Sequence, residues 1–527
     1  MLLSLNKQFC LISLLLIFLG MSSSIFAQLQ VNASRPDATY EAGEMMYFEV
    51  TSDTWGEVNY IIRFDPKTPP LKTGKIIVNP NVPAKIPFVL KEPGSVLCRV
   101  SLNGNSTVGG AIFSKYDLQG YVEEPADFDN FWNGVKAELA TVPIDPVLTF
   151  LDSTSYSNSY RINLGNINNR KVYGYISIPK GISPPYPAIL TLPPFGFVEN
   201  IVVPETNVAE WGGAISISIS IHQAEPDELD PNPYKPTDIS NPNLYYYKHS
   251  IAGAMRAIDY IFTRPDFNGT DMGVVGISQG GGLALMTAGV DQRVKCLVQT
   301  VSALCGHAGH RWNRPAGLPL FVQDSRGSWG NISHEDSTLN ASKYYDGIFF
   351  AKRFKGPAYN FISYADTVSP LETIYTAINQ FREKEITFHS LRLGHRSPDD
   401  FYALRTEFWR KVFPAMQNHP FPWNPSTTGY DVTSNADFAI PSGGTANLSA
   451  SLTYNDNALD NLPAKWMVVE GPGKVTFTSS PTAYATTATF SEDGEYIFRF
   501  VATDSPDIDT EFNFVTVSDF VKVMVGN

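Results

Sequence analysis

The chain has 527 residues, 43% of them hydrophobic and 17% charged, and a formal net charge of −13 at pH 7. Its length exceeds a single hydrophobic core and implies about three folded domains. The negative balance excludes nucleic acid and anionic membrane as expected partners, because phosphate would be repelled, and four cysteines exclude a disulfide-dense scaffold.

Residues 1–27 carry Lys7, an apolar run from Phe9 to Gly20, and small residues ahead of Ala27-Gln28. This pattern predicts a secretory signal peptide cleaved after Ala27. The run is short for a transmembrane helix and no later run repeats it, so the mature chain is expected to have no membrane partner. A secreted, periplasmic or cell-surface location follows. Once Cys10 is removed with the leader, Cys98, Cys296 and Cys305 remain. Cys98 is in phase with Val96, Val100 and Leu102, as a buried apolar thiol would be. Cys296 and Cys305 flank a strand and are the candidate pair for a bridge, though free thiols are the preferred reading.

From 28 to 122 the chain alternates like antiparallel strands. Val58, Tyr60, Ile62 and Phe64 share one phase, and Asn79-Pro80-Asn81 and Glu92-Pro93-Gly94 supply turns. An immunoglobulin-like β-sandwich is expected here. At Glu123-Glu124-Pro125 the period changes to that of a helix, with Phe128, Phe131, Val135 and Leu139 on one face. Strands and helices then alternate to 419, as a doubly wound α/β sheet requires.

Within that region, Gly276-Ile277-Ser278-Gln279-Gly280 lies between a strand-like run (Met272, Val274, Val275) and a helix-like one (Leu283 to Ala288). A serine between glycines at a strand-to-helix turn is the nucleophile elbow of α/β-hydrolases. Asp366 follows the strand-like Ala358 to Tyr364, and His395 follows Ile386 to Leu391. Strand ends of this kind are where open α/β sheets place their ligands. The order Ser, Asp, His is the one expected of this fold. Serine needs an imidazole to take its proton, and the imidazole needs a carboxylate to fix its tautomer.

The segments Pro125-Ala126-Asp127-Phe128-Asp129-Asn130-Phe131-Trp132, Tyr245-Tyr246-Tyr247, Gly276 to Gly281, Asp291-Gln292-Arg293-Val294, Asp366-Thr367 and Gly394-His395 occur in this order. Together they resemble the acetyl xylan esterase and cephalosporin C deacetylase group, carbohydrate esterase family 7, over roughly residues 123–418. The resemblance implies an α/β-hydrolase that removes acetyl groups from sugar hydroxyls, with Ser278, Asp366 and His395 as catalytic triad. It implies an oxyanion hole from the backbone N–H of Gln279 and, most nearly, of Phe195. His222 and Gln223 would line the substrate cleft. The family assembles as hexamers, so a homo-oligomer is possible, although domains at both ends would hinder that packing. Three positions depart from the family pattern. Its Arg-Gly-Gln motif reads Ile221-His222-Gln223, its His-Glu motif reads His395-Arg396, and its oxyanion loop reads Pro193-Pro194-Phe195-Gly196-Phe197. These changes put the substrate in question more than the triad.

Cys305, His307 and His310 have a spacing that zinc can use, but no second ligand group accompanies them. His307 is read as a cleft residue, and no metal or organic cofactor is expected. Asp504 to Glu511 is acidic but lacks the glycine and spacing of a calcium loop. Pro420-Phe421-Pro422-Trp423-Asn424-Pro425 opens a stiff linker, 420–428. Residues 429–527 alternate again, with Tyr496, Phe498, Phe500 and Ala502 in one phase and Trp466 as a core anchor. This C-terminal β-sandwich is similar to polycystic-kidney-disease-type modules, as spacer or binding unit. The expectation is a secreted serine esterase acting on acetylated carbohydrate. Two alternatives stay open: a peptidase of the prolyl-peptidase type, and a glycan-binding protein with a decayed hydrolase core.

Overall fold

The computed structural model describes residues 29–80, 82–196, 202–222, 225, 239–320, 335–417, 429–454, 457–504 and 513–526. The leader at 1–27, Gln223, most of Asp504 to Glu511 and the linker at 420–428 lie outside the described residues.

The alternating N-terminal stretch forms β1 (Gln30–Ala33), β2 (Thr39–Tyr40), β3 (Met45–Thr51), β4 (Gly56–Arg63), β5 (Lys72–Val78), β6 (Ala84–Val89), β7 (Gly94–Leu102) and β8 (Asn105–Phe113). They make two sheets, β1-β3-β6 and β2-β8-β7-β4-β5. Val58, Ile62 and Phe64 enter the core between them together with Val96, Cys98 and Val100. Side chains two residues apart share one face of a strand, so the sequence phase sets this core directly.

The central region contributes α1 (Phe128–Ala140), α2 (Thr206–Gly212), α3 (Tyr246–Thr263), α4 (Gln279–Val290), α5 (Glu335–Ser342), α6 (Gly347–Ala351), α7 (Leu371–Ile378) and α8 (Phe401–Val412). Its strands are β9 (Val147–Ser153), β10 (Ser157–Asn166), β11 (Arg170–Pro179), β12 (Tyr186–Leu192), β13 (Ile215–Ile219), β14 (Phe267–Ile277), β15 (Val294–Thr300), β16 (Ala358–Ser363) and β17 (Glu385–Ser390). Their order is 9-10-11-13-12-14-15-16-17. The first pairings are antiparallel, and those from β13 to β17 are parallel. Met272 and Val274 of β14 face one core, and Val275 faces the other. Leu297 opposes Cys296 and Val298 in the same way along β15. Helices α1 and α3 to α7 cover the first face, while α2 and α8 cover the second. This is the doubly wound sheet expected from the sequence. On α1 the buried residues are Phe128, Trp132, Val135 and Leu139, so Trp132 takes the inward place expected of Phe131. The Trp132 Nε1–H is drawn in by the Tyr344 carbonyl, 3.1 Å away.

The C-terminal strands are β18 (Tyr430–Ser434), β19 (Phe438–Ile440), β20 (Ala446–Tyr454), β21 (Asn457–Leu459), β22 (Ala464–Glu470), β23 (Val475–Phe477), β24 (Ala485–Phe490), β25 (Gly494–Thr503) and β26 (Asn513–Val525). One layer is the sheet β18-β20-β24-β23 with β21. The other does not stand alone. Its strand β26 pairs antiparallel with β17, Glu385 to Ser390 against Ser518 to Asn513. The central sheet thus continues through β26, β25 and β22 into the C-terminal layer. A single apolar core runs from Ile189 and Trp409 through Phe388 to Trp466 and Phe498. For this reason the alternation along β25 hides no solvent face at its end. Tyr496, Phe498 and Phe500 fill the sandwich, and Arg499 and Val501 are buried on the other side. Arg499 donates to the Glu385 carboxylate and, at 3.1 Å, to Ser518 Oγ.

The N-terminal sandwich is held to the central region by a buried ion cluster. Arg314 Nη2 lies 2.8 Å from Glu372 Oε2 and Arg314 Nη1 lies 2.9 Å from Glu92 Oε1. Arg314 also sits over the Phe64 ring at 4.2 Å, and Ser95 N–H donates to Glu372. Burial pushes the Glu372 carboxyl above its usual range, opposed by the Arg314 charge. Removing one partner of such a pair strands the other charge. Arg314→Met is therefore expected to cost about 3–5 kcal/mol, read as a lower thermal midpoint of the full chain; an unchanged midpoint would mean that the cluster is solvated. Nearby, His310 Nε2 meets Asp65 Oδ2 at 2.7 Å. The three cysteines are free and buried, so no Cys296–Cys305 bridge forms.

Candidate active site

In the central sheet the chain steps outward from β12 to β13 on one side, then returns to place β14 on the other side of β12. Connections diverge there, which opens a crevice beyond the carboxyl ends of β12 and β14. The Pro193-Pro194-Phe195 loop leaves β12 and Ser278 leaves β14 at this point.

Ser278 has φ 56° and ψ −119°, a left-sided conformation that a side-chain-bearing residue adopts only when its surroundings compel it. The surroundings are specific. Ser278 N–H donates to the Thr300 carbonyl at 2.8 Å, and its own carbonyl accepts from Ala303 N–H at 2.9 Å and Gly282 N–H at 3.1 Å. The flanking glycines are steric requirements. A Cβ on Gly276 would sit 2.1 Å from the Gly280 carbonyl oxygen, and one on Gly280 would sit 2.1 Å from that of Leu192. The elbow therefore turns tightly into α4 and presses against the end of β12.

The structure brings the three expected side chains into one line. His395 Nε2 lies 2.9 Å from Ser278 Oγ, and His395 Nδ1 lies 2.8 Å from Asp366 Oδ2. Asp366 Oδ1 accepts backbone N–H bonds from Val368 at 2.8 Å and Ser369 at 2.9 Å. The carboxylate is thereby fixed by the chain and presents its other oxygen to the imidazole. A carboxylate acceptor at Nδ1 holds the proton there and leaves Nε2 as the acceptor facing the serine hydroxyl. Such an arrangement can deprotonate serine as it attacks a carbonyl.

Of the remaining expected site residues, Gln279, Phe195 and His222 lie at the loop after β12. Gln279, the first residue of α4, is buried; its Oε1 accepts from Tyr247 O–H at 2.7 Å and its Nε2 donates to the Pro194 carbonyl at 3.4 Å. Its side chain thus ties the elbow to the loop after β12. Phe195 on that loop is 42% exposed, so its ring is open to solvent. His222 is buried behind the same loop, with Nε2 2.9 Å from the Gly196 carbonyl and Nδ1 2.5 Å from Tyr246 Oη. It braces the loop instead of presenting its ring to solvent. His307 is buried, and its Nε2 lies 3.0 Å from the Tyr345 carbonyl. His307 and His310 thus turn to different partners, and no cluster of three His, Cys, Asp or Glu side chains suited to a metal ion occurs among the described residues. At the altered motifs, Ile221 is buried, while Arg396 lies at the surface, 3.7 Å from Asp399.

One contributor gives no sequence signal. Arg392, in the loop that carries His395, donates to Asn32 Oδ1 at 3.2 Å and to Gln30 Oε1 at 3.1 Å, both on β1. The N-terminal sandwich thus holds the histidine loop from behind. Near the carboxylate, Tyr364 Oη lies 3.3 Å from Thr39 Oγ1. Arg392→Ala is expected to lower kcat about tenfold, since small misplacement of a reacting group is costly. Because Arg392 acts on position alone, KM should move by less than about twofold; an equal rise in KM would assign it to substrate binding instead.

A family model described as acetyl xylan esterase (AXE1) matches residues 114–413. Acetyl esterase Axe7A of Xylanibacter ruminicola is 30% identical over 365 residues, covering 65% of this chain and 81% of that protein. Among solved structures, the acetyl xylan esterase from Paenibacillus sp. R4 superposes with a TM-score of 0.51 at 22% identity, covering 57% of this chain and 98% of that one. Acetyl xylan esterase 1 from Thermoanaerobacterium sp. JW/SL YS485 gives 0.50 at 18% identity, with the same coverage. These two likenesses concern the fold, an α/β-hydrolase sheet, and the matches in sequence concern descent. The chain belongs to the acetyl xylan esterase family and is a carboxylic ester hydrolase.

Proposed function

We propose that this protein is an exported serine esterase that removes acetyl groups from carbohydrate hydroxyls through an acyl-enzyme on Ser278. The contact of Ser278 Oγ with His395 Nε2, backed by Asp366, carries the reading. Ser278 Oγ attacks the ester carbonyl carbon as His395 takes its proton. The tetrahedral oxyanion is held by the backbone N–H of Gln279, at the positive end of α4, and by that of Phe195. Collapse breaks the bond to the sugar oxygen, and that oxygen leaves with the proton from His395. Water, deprotonated by the same imidazole, then attacks the acetyl carbonyl and frees acetate and Ser278. The leader pattern at 1–27 supports export, and no helix among the described residues is long and apolar enough to cross a membrane.

The test is acetate release by the purified mature chain from acetylated xylan and a panel of acetylated sugars, with an aminoacyl-peptide amide as counter-substrate. Release from the sugars and none from the amide is the expected result. Amide cleavage without acetate release would replace this reading with a peptidase. Glycan binding without any turnover would make the hydrolase core a binding unit.

A further inference from the structure

Between the two β-sandwiches and the central sheet lies a cleft of about 860 Å³, separate from the crevice that holds Ser278. Its walls include Pro36 and Asp37, Lys115 and Tyr116, Leu391 just after β17, and Lys465, Met467 and Thr503. That volume is in the range of small-molecule binding sites.

Lys115 is the unusual member. It is 5% exposed, and its ammonium lies over the faces of Tyr116 and Tyr375, at 5.2 and 5.6 Å from the ring centroids. No carboxylate among the described residues forms an ion pair with it. The buried acid that acts on it through space, Glu385, is already used. Glu385 accepts through Oε1 from Arg499 and from Ser518 Oγ, and through Oε2 from Asn360 and from Thr387 Oγ1. On the cleft wall, Glu49 pairs with Lys85, and Asp504 accepts from Tyr430. Asp37 is near enough to act on Lys115 through space but does not pair with it. Burial pushes the Lys115 amine down to about 8, with Asp37 drawing it up and Arg499 pressing it further down. A buried cation without a counter-charge carries a large desolvation cost, which an anion entering from the cleft would relieve. Lys465, on the open side, likewise has no ion-pair partner among the described residues and adds a second positive charge.

We infer that this cleft binds a sugar acid, with the carboxylate on Lys115 and the ring against the Pro36 and Met467 wall. The shared chemistry is a carboxylate, and two sources of it differ in size. A small carboxylate would need only the ammonium. A uronic acid would also use the apolar Pro36 and Met467 wall and the hydroxyl of Thr503. The breadth of the cleft and its apolar wall favour the uronic acid. Binding here is independent of ester cleavage, so the Ser278→Ala protein should bind equally well.

The experiment is titration of the full mature chain, and of its Ser278→Ala and Lys115→Met variants, with D-glucuronate, D-xylose and acetate, followed calorimetrically. Glucuronate should bind the first two alike and Lys115→Met at least about tenfold more weakly, the loss expected for one charge-assisted hydrogen bond. Ligand-free Lys115→Met should melt at or above the unaltered protein, because it removes an uncompensated charge. Its cleavage of a small aryl acetate should be unchanged. Glucuronate binding that is unaffected by Lys115→Met, or no stronger than that of xylose, would overturn the site. Acetate binding as tightly as glucuronate would overturn the sugar acid. If Lys115→Met does not fold, Lys465→Ala carries the same test, with about threefold weaker binding expected and no change refuting the inference.

Discussion

Replacing Ser278 with alanine is expected to lower kcat on an acetylated sugar by about 10⁶-fold, as when the nucleophile of a comparable triad is removed. The Oγ lost is the atom that forms the acyl bond, and nothing else in the described elbow can replace it. The protein should stay folded. Alanine keeps a Cβ at the same φ of 56° and leaves the backbone bonds to Thr300, Ala303 and Gly282 untouched. Ser278→Gly makes a useful companion. Glycine adopts positive φ without the clash that Cβ suffers, so this inactive variant should be more stable by about 1 kcal/mol. Acetate release and thermal midpoints of the three proteins decide the matter. Near-normal turnover by folded Ser278→Ala would end the acyl-enzyme proposal.

The second large effect is expected from Asp366→Asn, at about 10⁴-fold in kcat. The cause lies in how the carboxylate is tied down. Oδ1 accepts two backbone N–H bonds, from Val368 and Ser369, so the asparagine carbonyl oxygen will occupy that side. Its NH₂ then falls where Oδ2 met His395 Nδ1. A donor there forces Nδ1 to accept and moves the imidazole proton to Nε2. The ring would face Ser278 with a proton and could not take another. Because size and bonding to the backbone are kept, stability should change little. The pH profile should separate this cause from disorder: activity should rise steeply with alkali, as hydroxide substitutes for the missing base. A loss below about tenfold would mean that the carboxylate only orients the ring.

How much of this could be read beforehand differs element by element. The meeting of Ser278, Asp366 and His395 was legible because each is marked by its own short segment. A serine between two glycines, a carboxylate after one strand and a histidine after the next each sit where the backbone turns, so short segments identify them. The buried phases of β4 and β14 were legible because alternation is a property of the strand itself. Phe131 was misread because α1 is buried on the side where Trp132 finds a carbonyl for its N–H, a partner more than two hundred residues away. The sequence places His222 and His307 at the cleft, since a histidine near a strand end carries no mark of which way its ring turns. The structure turns His222 against Gly196 and Tyr246, and His307 against Tyr345.

Short-range pattern is enough to give the elements, the α/β class, the two flanking β regions and the Ser278, Asp366 and His395 set. These depend on periodicity and on residues close together in the chain. What those regions do to one another emerges from the folded molecule. It showed β26 pairing with β17 so that the central sheet runs on into the C-terminal layer. It showed β1 gripping Arg392 behind His395, and Lys115 buried without a counter-charge where the N-terminal, central and C-terminal strands meet. Each of these joins residues far apart in sequence. Their meeting is fixed by the hydrogen-bonding needs of sheet edges and the desolvation of charges when surfaces close, neither of which is expressed in any local pattern.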